Sequence, residues 1–323
     1  ITSHSSHIVS ECDFDDIKYF KRSSNTEVVS QNLKELETRY KAEKDPERNH
    51  FKFLKQYLTL NYSEIFFADK AILFEGETEG ILLPAMLKKV DEEHPSENDL
   101  PLLSQNISLI ASGAYSQIFD EFLSFIGIKT LIITDIDSGK ESISKDKNGR
   151  DTKKIVACSI EEATHTTNGA LLHYFETPLS KSGAKEPIAF FMTLAPENKI
   201  LQKNNGLWET NSNGNLMIAY QTKETGGYYP RSFEDAFFQI NRELVIQNKK
   251  LFPSLKCKEQ LDEKDADGHF IYDSYDLANN CIGSKASFAL DILLNSINDG
   301  KHTFSNWKIP PYIEEGLLWL RQN

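Results

Sequence analysis

Three apolar runs constrain this chain more than any other feature: "KAILFE" (70–75), "ISLIAS" (107–112) and "KTLIITDID" (129–137). Between the first two, residues 79–90 follow a helical pattern, although Pro84 should remove one hydrogen bond and bend that helix. Between the last two, Ile118, Phe122 and Phe125 mark a helix over 115–126. Strand–helix–strand–helix–strand in about 70 residues predicts parallel βαβ units, hence an α/β fold. In such a sheet, functional groups gather beyond the carboxyl ends of the strands. Glu75 ends the first strand, and Asp135 and Asp137 end the third. Residues two apart on a strand share a face, so both aspartates are expected to point one way. Glu79 falls in the first helical turn after Gly76, where the helix dipole favours negative charge. Either acidic motif alone is a weak signal, since Glu is common at helix starts. Together, each ending a strand of one unit, they place four carboxylates on one patch. Such a cluster repels itself unless a cation neutralises it. All-oxygen ligation suits Mg²⁺ or Mn²⁺ better than zinc.

With 323 residues, 39% of them hydrophobic, the chain can bury a real core and has length for roughly two domains. No apolar run approaches the ~18 residues of a membrane span, and no signal peptide opens the chain, so no membrane partner is expected. The four cysteines (Cys12, Cys158, Cys257, Cys281) form no CxxC pair and the histidines no HExxH, so a zinc site is not expected and a cytoplasmic setting is. The net charge of −12 argues against nucleic-acid binding unless divalent ions offset the acidic cluster. Local basic stretches do occur at 18–22 and 145–154.

Elsewhere, residues 1–22 read as a strand end, a short helix and a strand, followed by a polar linker at 23–27. Leu33, Leu36, Tyr40, Phe51, Leu54 and Leu58 give a helical pattern from Ser30 to about Leu60, with a break at Asp45-Pro46. "KIVACSI" (154–160) reads as a strand, with a helix after Asn168. "LWETNSNGNLMIAYQ" (207–221) reads as a hairpin turning at Asn213-Gly214, and 232–248 and 284–297 as helices. "EKDADGHFIYDS" (263–274) has Asp265, Asp267 and Gly268 in register with a calcium loop, but starts with Glu263 and carries Ser274 where a bidentate glutamate belongs. It is read as an acidic surface loop.

Glu75-Gly76 after a strand, with Asp135-Ile136-Asp137 two strands on, resembles a Toprim domain, the metal-binding module of topoisomerases, bacterial primases, recombination proteins and a class of nucleases. Within that group the chain is most similar to the class 2 OLD (overcoming lysogenisation defect) nucleases, through "EIFFADKAILFEGETEGILLPAM" (64–86), "IITDID" (132–137), "TTN" (166–168), "RSFEDAF" (231–237) and "GSKASFALDIL" (283–293). "TSHSSHI" (2–8) resembles the switch-histidine stretch closing an ABC-type ATPase domain, with His4 at the phosphate-sensing position, while a phosphate loop and ABC signature are not found. The chain, which lacks an initiator methionine, is therefore expected to be part of a longer ATPase–nuclease and not to hydrolyse ATP itself.

The resemblance implies a Toprim core, Rossmann-like with a mostly parallel sheet, plus an additional helical domain. Its division would be an ATPase remnant (1–24), a helical segment (25–68), the core with insertions (69–241), a helical insertion (242–280) and a C-terminal part of the core (281–323). It implies a DNA endonuclease using two divalent ions per site, Mg²⁺ or Mn²⁺. Glu79, Asp135 and Asp137 would hold the first ion; Glu75 would be ligand or acid–base. Glu234 would help hold the second, with Asp235 equally open. Lys285 would stabilise charge on the phosphate in the transition state, against the alternative of a solvated lysine behind a capping Ser284. Ser138 would offer a hydroxyl or backbone contact. Implied partners are DNA, the ATPase domain and possibly a second copy. The competing readings are a Toprim module of topoisomerase or primase type and a non-catalytic module for docking or dimerisation.

Overall fold

The structure, a computed structural model, describes residues 2–22, 26–42, 50–145, 150–184, 186–224 and 226–322. Helix α1 (Ser6–Glu11) leads into an antiparallel ribbon of β1 (Lys18–Arg22) and β2 (Val28–Asn32). Helices α2 (Lys34–Ala42) and α3 (His50–Asn61) follow. The helical pattern expected from Ser30 thus begins only at Lys34, because residues 28–32 pair with β1. The Asp45-Pro46 break lies outside the described residues, as does most of the 23–27 linker.

The expected βαβαβ unit then appears as β3 (Lys70–Phe74), α4 (Glu77–Glu93), β4 (Ile107–Ala111), α5 (Asp120–Ile126) and β5 (Lys129–Ile133). A small three-stranded sheet follows, made by β6 (Ser138–Lys145), β7 (Asp151–Ala157) and β8 (His165–Thr166) in the order β7-β6-β8. Three short helices, α6 (Gly169–Tyr174), α7 (Glu176–Ser182) and α8 (Pro187–Thr193), lead to β9 (Ile200–Asn204), β10 (Leu207–Thr210) and β11 (Leu216–Ala219). The chain closes with α9 (Phe233–Gln247), α10 (Ser274–Cys281), α11 (Lys285–Leu294) and α12 (Pro311–Arg321). Among the described residues no helix is long and apolar enough to cross a membrane.

The main sheet has the order β10-β9-β11-β5-β3-β4. β3 runs parallel to β4 and β5, and β11 parallel to β5, while β9 is antiparallel to its neighbours. Side chains alternate between the two faces. Ile72, Leu131, Ile133, Met217 and Ala219 pack under α4, α9, α11 and α12. Ala71, Leu73, Ile132, Leu216 and Ile218 pack against α2, α3, α5, α6 and α8. Burial on both faces is why these strands read as continuous apolar runs and why they pair in parallel.

Three expectations need correction. The hairpin turns at Asn205-Gly206, with φ of 50° and 82°, and joins β9 to β10. Asn213-Gly214 instead leads into β11, where a Cβ on Gly214 would stand 2.2 Å from the Leu201 carbonyl oxygen. The stretch 242–280 is helical only at its ends; between α9 and α10 it takes short 3₁₀ turns and two isolated bridges. Within it, Asp265 accepts the N–H groups of Asp267 (3.0 Å) and His269 (2.9 Å), so that carboxylate closes its own turn. Finally, β5 ends at Ile133, so "TDID" (134–137) has left the sheet and the shared-face argument for Asp135 and Asp137 does not apply.

Candidate active site

Because Phe74 and Ile133 are in register on neighbouring parallel strands, Glu75 and Thr134 leave the sheet side by side. The Thr134 hydroxyl donates to the Glu75 carboxylate, and the Asp135 N–H reaches the same oxygen at 3.3 Å. Asn168 locks this corner. Its Oδ1 caps α6 by accepting from Leu171 N (3.0 Å), while its Nδ2 donates to Thr134 Oγ1 and Asp135 O (both 2.7 Å) and to Glu75 Oε2 (3.4 Å).

Gly76 caps α4, and Glu79 in the first turn is 2% exposed. A Cβ on Gly76 would sit 2.3 Å from Glu79 Oε2, so the carboxylate lies against the Gly76 backbone and glycine leaves it that room. Asp135 Oδ1 accepts from Gln221 Nε2 (2.6 Å) and from Phe233 N (3.0 Å), which puts it at the positive N-terminus of α9. Glu234, one residue further along α9, accepts from the Thr78 hydroxyl (2.7 Å) and pairs with Lys285 Nζ (2.8 Å) at the start of α11.

The choice between Glu234 and Asp235 is decided by helix capping. Asp235 forms the capping box with Ser232, accepting from its N–H (2.6 Å) and hydroxyl (2.7 Å), and also holds Arg231 N (2.7 Å). It is used up by the helix start, while Glu234 faces Lys285. Ser284 does cap α11, accepting from Ser287 N at 3.3 Å, yet Lys285 still turns inward, so the capping and site readings coexist.

Four carboxylates, Glu75, Glu79, Asp135 and Glu234, therefore face one ammonium. Burial, then Glu234 beside it, push Glu79 up to about 8, with Glu75 adding and Lys285 opposing. Asp135 is raised well above the usual carboxylate range by burial and then by Glu79, Glu234 and Glu75. Burial works against the Lys285 ammonium, but Glu234, Asp135 and Glu79 outweigh it and raise that lysine. Such mutual strain between buried like charges is what marks a functional cluster.

Residues 66–137 match the family described as "Overcoming lysogenization defect protein-like, TOPRIM domain". The chain carries an OLD-like Toprim domain. Endonuclease GajA of Bacillus cereus (strain HuB5-5) is 29% identical over 331 residues, which take in 99% of this chain and 42% of that relative. The chain thus spans about two fifths of that relative's length. The Toprim match contains Glu75, Glu79, Asp135 and Asp137; Glu234 and Lys285 lie beyond it in sequence and are brought in by α9 and α11.

Two candidates sit differently from expectation in the Toprim domain. Asp137 has a left-handed backbone (φ 47°), and its carboxylate pairs with Arg231 Nη2 at 3.0 Å; neither Glu79 nor Asp135 owes its shift to it. Ser138 is fully buried and its hydroxyl donates to Cys158 O (2.7 Å), so it is a structural bond at the root of β6 and offers no hydroxyl to a substrate. Thr78, Asn168, Gln221 and Arg231 hold the acidic groups but escaped the sequence reading. Only "TTN" (166–168) and "RSFEDAF" (231–237) pointed towards any of them.

The Toprim residues suit a hard divalent cation by donor type. All are carboxylate oxygens, buried with too little positive charge, which is the condition such an ion relieves. Among the described residues, no three or more His, Cys, Asp or Glu side chains are arranged to hold a metal as they stand. Lys285, Thr78 and Gln221 occupy the oxygens of Glu234 and Asp135 instead.

Proposed function

We propose that this chain is the nuclease part of a larger ATPase–nuclease and cuts DNA phosphodiester bonds with two divalent ions, Mg²⁺ or Mn²⁺, held by Glu75, Glu79, Asp135, Asp137 and Glu234. The observation that carries this reading is the buried cluster of four carboxylates around Lys285. Bound there, the ions supply an activated water and stabilise the leaving oxygen. The protein's own groups arrange the rest. Thr134 and Asn168 fix the Glu75 carboxylate, Thr78 orients Glu234, Gln221 and the α9 N-terminus orient Asp135, and Arg231 holds Asp137. Lys285 provides a preorganised positive charge for the phosphate as its negative charge grows.

In this reading residues 1–24 close the ATPase domain, with the His4 ring 6.1 Å from that of Phe67, just ahead of β3. Residues 25–68 and 242–280 would be additions to the core, the protein would work in the cytoplasm, and a second copy is a candidate partner. The test is a plasmid-nicking assay in Mg²⁺, Mn²⁺ and excess chelator, with and without ATP. Cutting is expected with either metal, without ATP, and to stop in chelator. Cutting that persists in chelator defeats the metal mechanism, and a requirement for ATP defeats the domain reading. Religation into relaxed topoisomers would indicate topoisomerase chemistry instead, and no cutting under any condition a non-catalytic module.

A further inference from the structure

The ribbon of β6 and β7 has no evident structural purpose. It pairs from Gly139–Ala157 out to Lys145–Asp151, seven residue pairs, or roughly 20 Å at the usual rise per residue. Only its root is tied down. Ser138 and Gly139 pair with Thr166 and His165 of β8, and Arg231 Nε donates to Ser138 O at 3.2 Å. The outer part is exposed on both faces, including Ile143 at 68%. A lone two-stranded ribbon is marginally stable in water, so this one contributes little to holding the fold.

Its charge and position are distinctive. Lys140, Lys145, Arg150, Lys153 and Lys154 stand against Glu141 and Asp151, a positive arm on a chain of net charge −12. Lysines lie on both faces: Lys140 and Lys154 share one, Lys145 and Lys153 the other. The arm starts at the residue after Asp137, and β8 at its root leads directly to Asn168, which holds Glu75.

We propose that this arm grips duplex DNA beside the carboxylate site, lying in the major groove with lysines on each face meeting the phosphates of the two walls. The inference rests on the nuclease reading above and adds the substrate form and its binding element. A major groove admits a two-stranded β-ribbon. The deep, narrow major groove of A-form RNA does not, so duplex RNA is disfavoured. Phosphate contacts of this kind supply most of the affinity and make it fall with salt.

The test measures fluorescence anisotropy of a labelled DNA duplex in EDTA across a salt series, so that binding is read without cleavage. The variant Lys145→Glu/Lys154→Glu alters two exposed positions. Lys250→Glu/Lys301→Glu makes the same charge change at two exposed positions outside the arm. The arm variant is expected to bind at least tenfold more weakly, with a salt slope shallower by about 2, one contact per lysine. The control variant should bind like wild type, and melting curves should match for all three. Equal affinity and slope for the arm variant and the control overturn the inference. Competition by duplex RNA as strong as by duplex DNA overturns the groove placement. If wild type cuts plasmid and the arm variant is unimpaired, this inference alone fails. If wild type neither binds nor cuts DNA, the nuclease reading fails and takes this inference with it.

Discussion

Lys285 and Glu79 respond differently to substitution because they carry opposite charge in one buried cluster. Lys285 is the only cation named in the fields of both Glu79 and Asp135. Lys285→Ala leaves the carboxylates less compensated, so the metal-free protein should lose stability. The loss should be about 1 kcal/mol or less, because the lysine side chain is 55% exposed and the pair with Glu234 is screened. Cleavage should fall by roughly 10²-fold or more, the scale for losing one preorganised stabilising group. Glu79→Gln removes one of four repelling charges at nearly constant shape. It should hold or raise the melting temperature in chelator, while divalent affinity and cleavage fall together. A variant more stable and less active is the signature of a site that spends stability on function. Melting curves in EDTA and in Mn²⁺, set beside nicking rates, decide it. A Glu79→Gln protein that melts lower in EDTA yet cuts normally would remove Glu79 from the site.

At the level of elements, α12 is pressed onto the sheet at a point where only glycine fits. A Cβ on Gly316 would meet Leu131 Cδ1 at 2.8 Å and Ala219 Cβ at 3.2 Å. The C-terminal end of α12 is fastened by two lysines from the sheet. Lys70 donates to the carbonyls of Leu320, Arg321 and Gln322, and Lys129 to those of Trp319 and Gln322. These cations satisfy terminal carbonyls and suit the negative end of the helix dipole. Gly316→Leu cannot be absorbed by tilting a helix fastened in this way, and should destabilise by about 1–3 kcal/mol, the usual range for overpacking. Urea denaturation reads this directly, and an unchanged midpoint would mean that α12 is only loosely docked. Legibility divides along the same lines. Strands β3, β4 and β5 and helices α4, α9 and α11 were readable because sheet and helix burial leave period-2 or period-3.6 marks. The hairpin was misplaced because two Asn-Gly pairs, at 205–206 and 213–214, lie within ten residues, and local turn chemistry cannot say which strands will pair. Asp137 was expected beside Asp135 because β5 was read four residues too long. Glu234 and Lys285 were readable only through their motifs, since what brings them to Glu79 is the packing of α9 and α11 against α4. Thr78, Asn168 and Gln221 were not singled out, because the types that bond carboxylates also cap helices and fill turns.

Over the whole molecule, buried ionisable groups bend stability in opposite directions on either side of about pH 8. Neither carboxylate oxygen of Glu224 has a hydrogen-bond partner, and burial, then Asp235, push that group up to about 7. Burial likewise raises Asp235 and Glu315. A carboxyl whose folded pKa lies above its unfolded value keeps a proton that the unfolded chain releases. Its contribution is full below the unfolded pKa, near 4.5 for Glu224, and is lost as pH rises through about 7. Lysines 129 and 199 act the other way. Burial pulls each down to about 8, against an ordinary 10.5, so between those values the unfolded chain binds more protons and stability rises with pH. The lysines pushed upward, such as Lys55 and Lys203, lose their contribution only above 10.5, and lowered carboxylates such as Asp120 matter only at acid pH. Melting temperature in chelator should therefore fall from pH 5 towards 8 and recover towards 10. Glu224→Gln should flatten the falling limb and leave the rising one intact. A wild-type curve that is flat or rising between pH 5 and 8 would show that Glu224 is solvated in the folded protein.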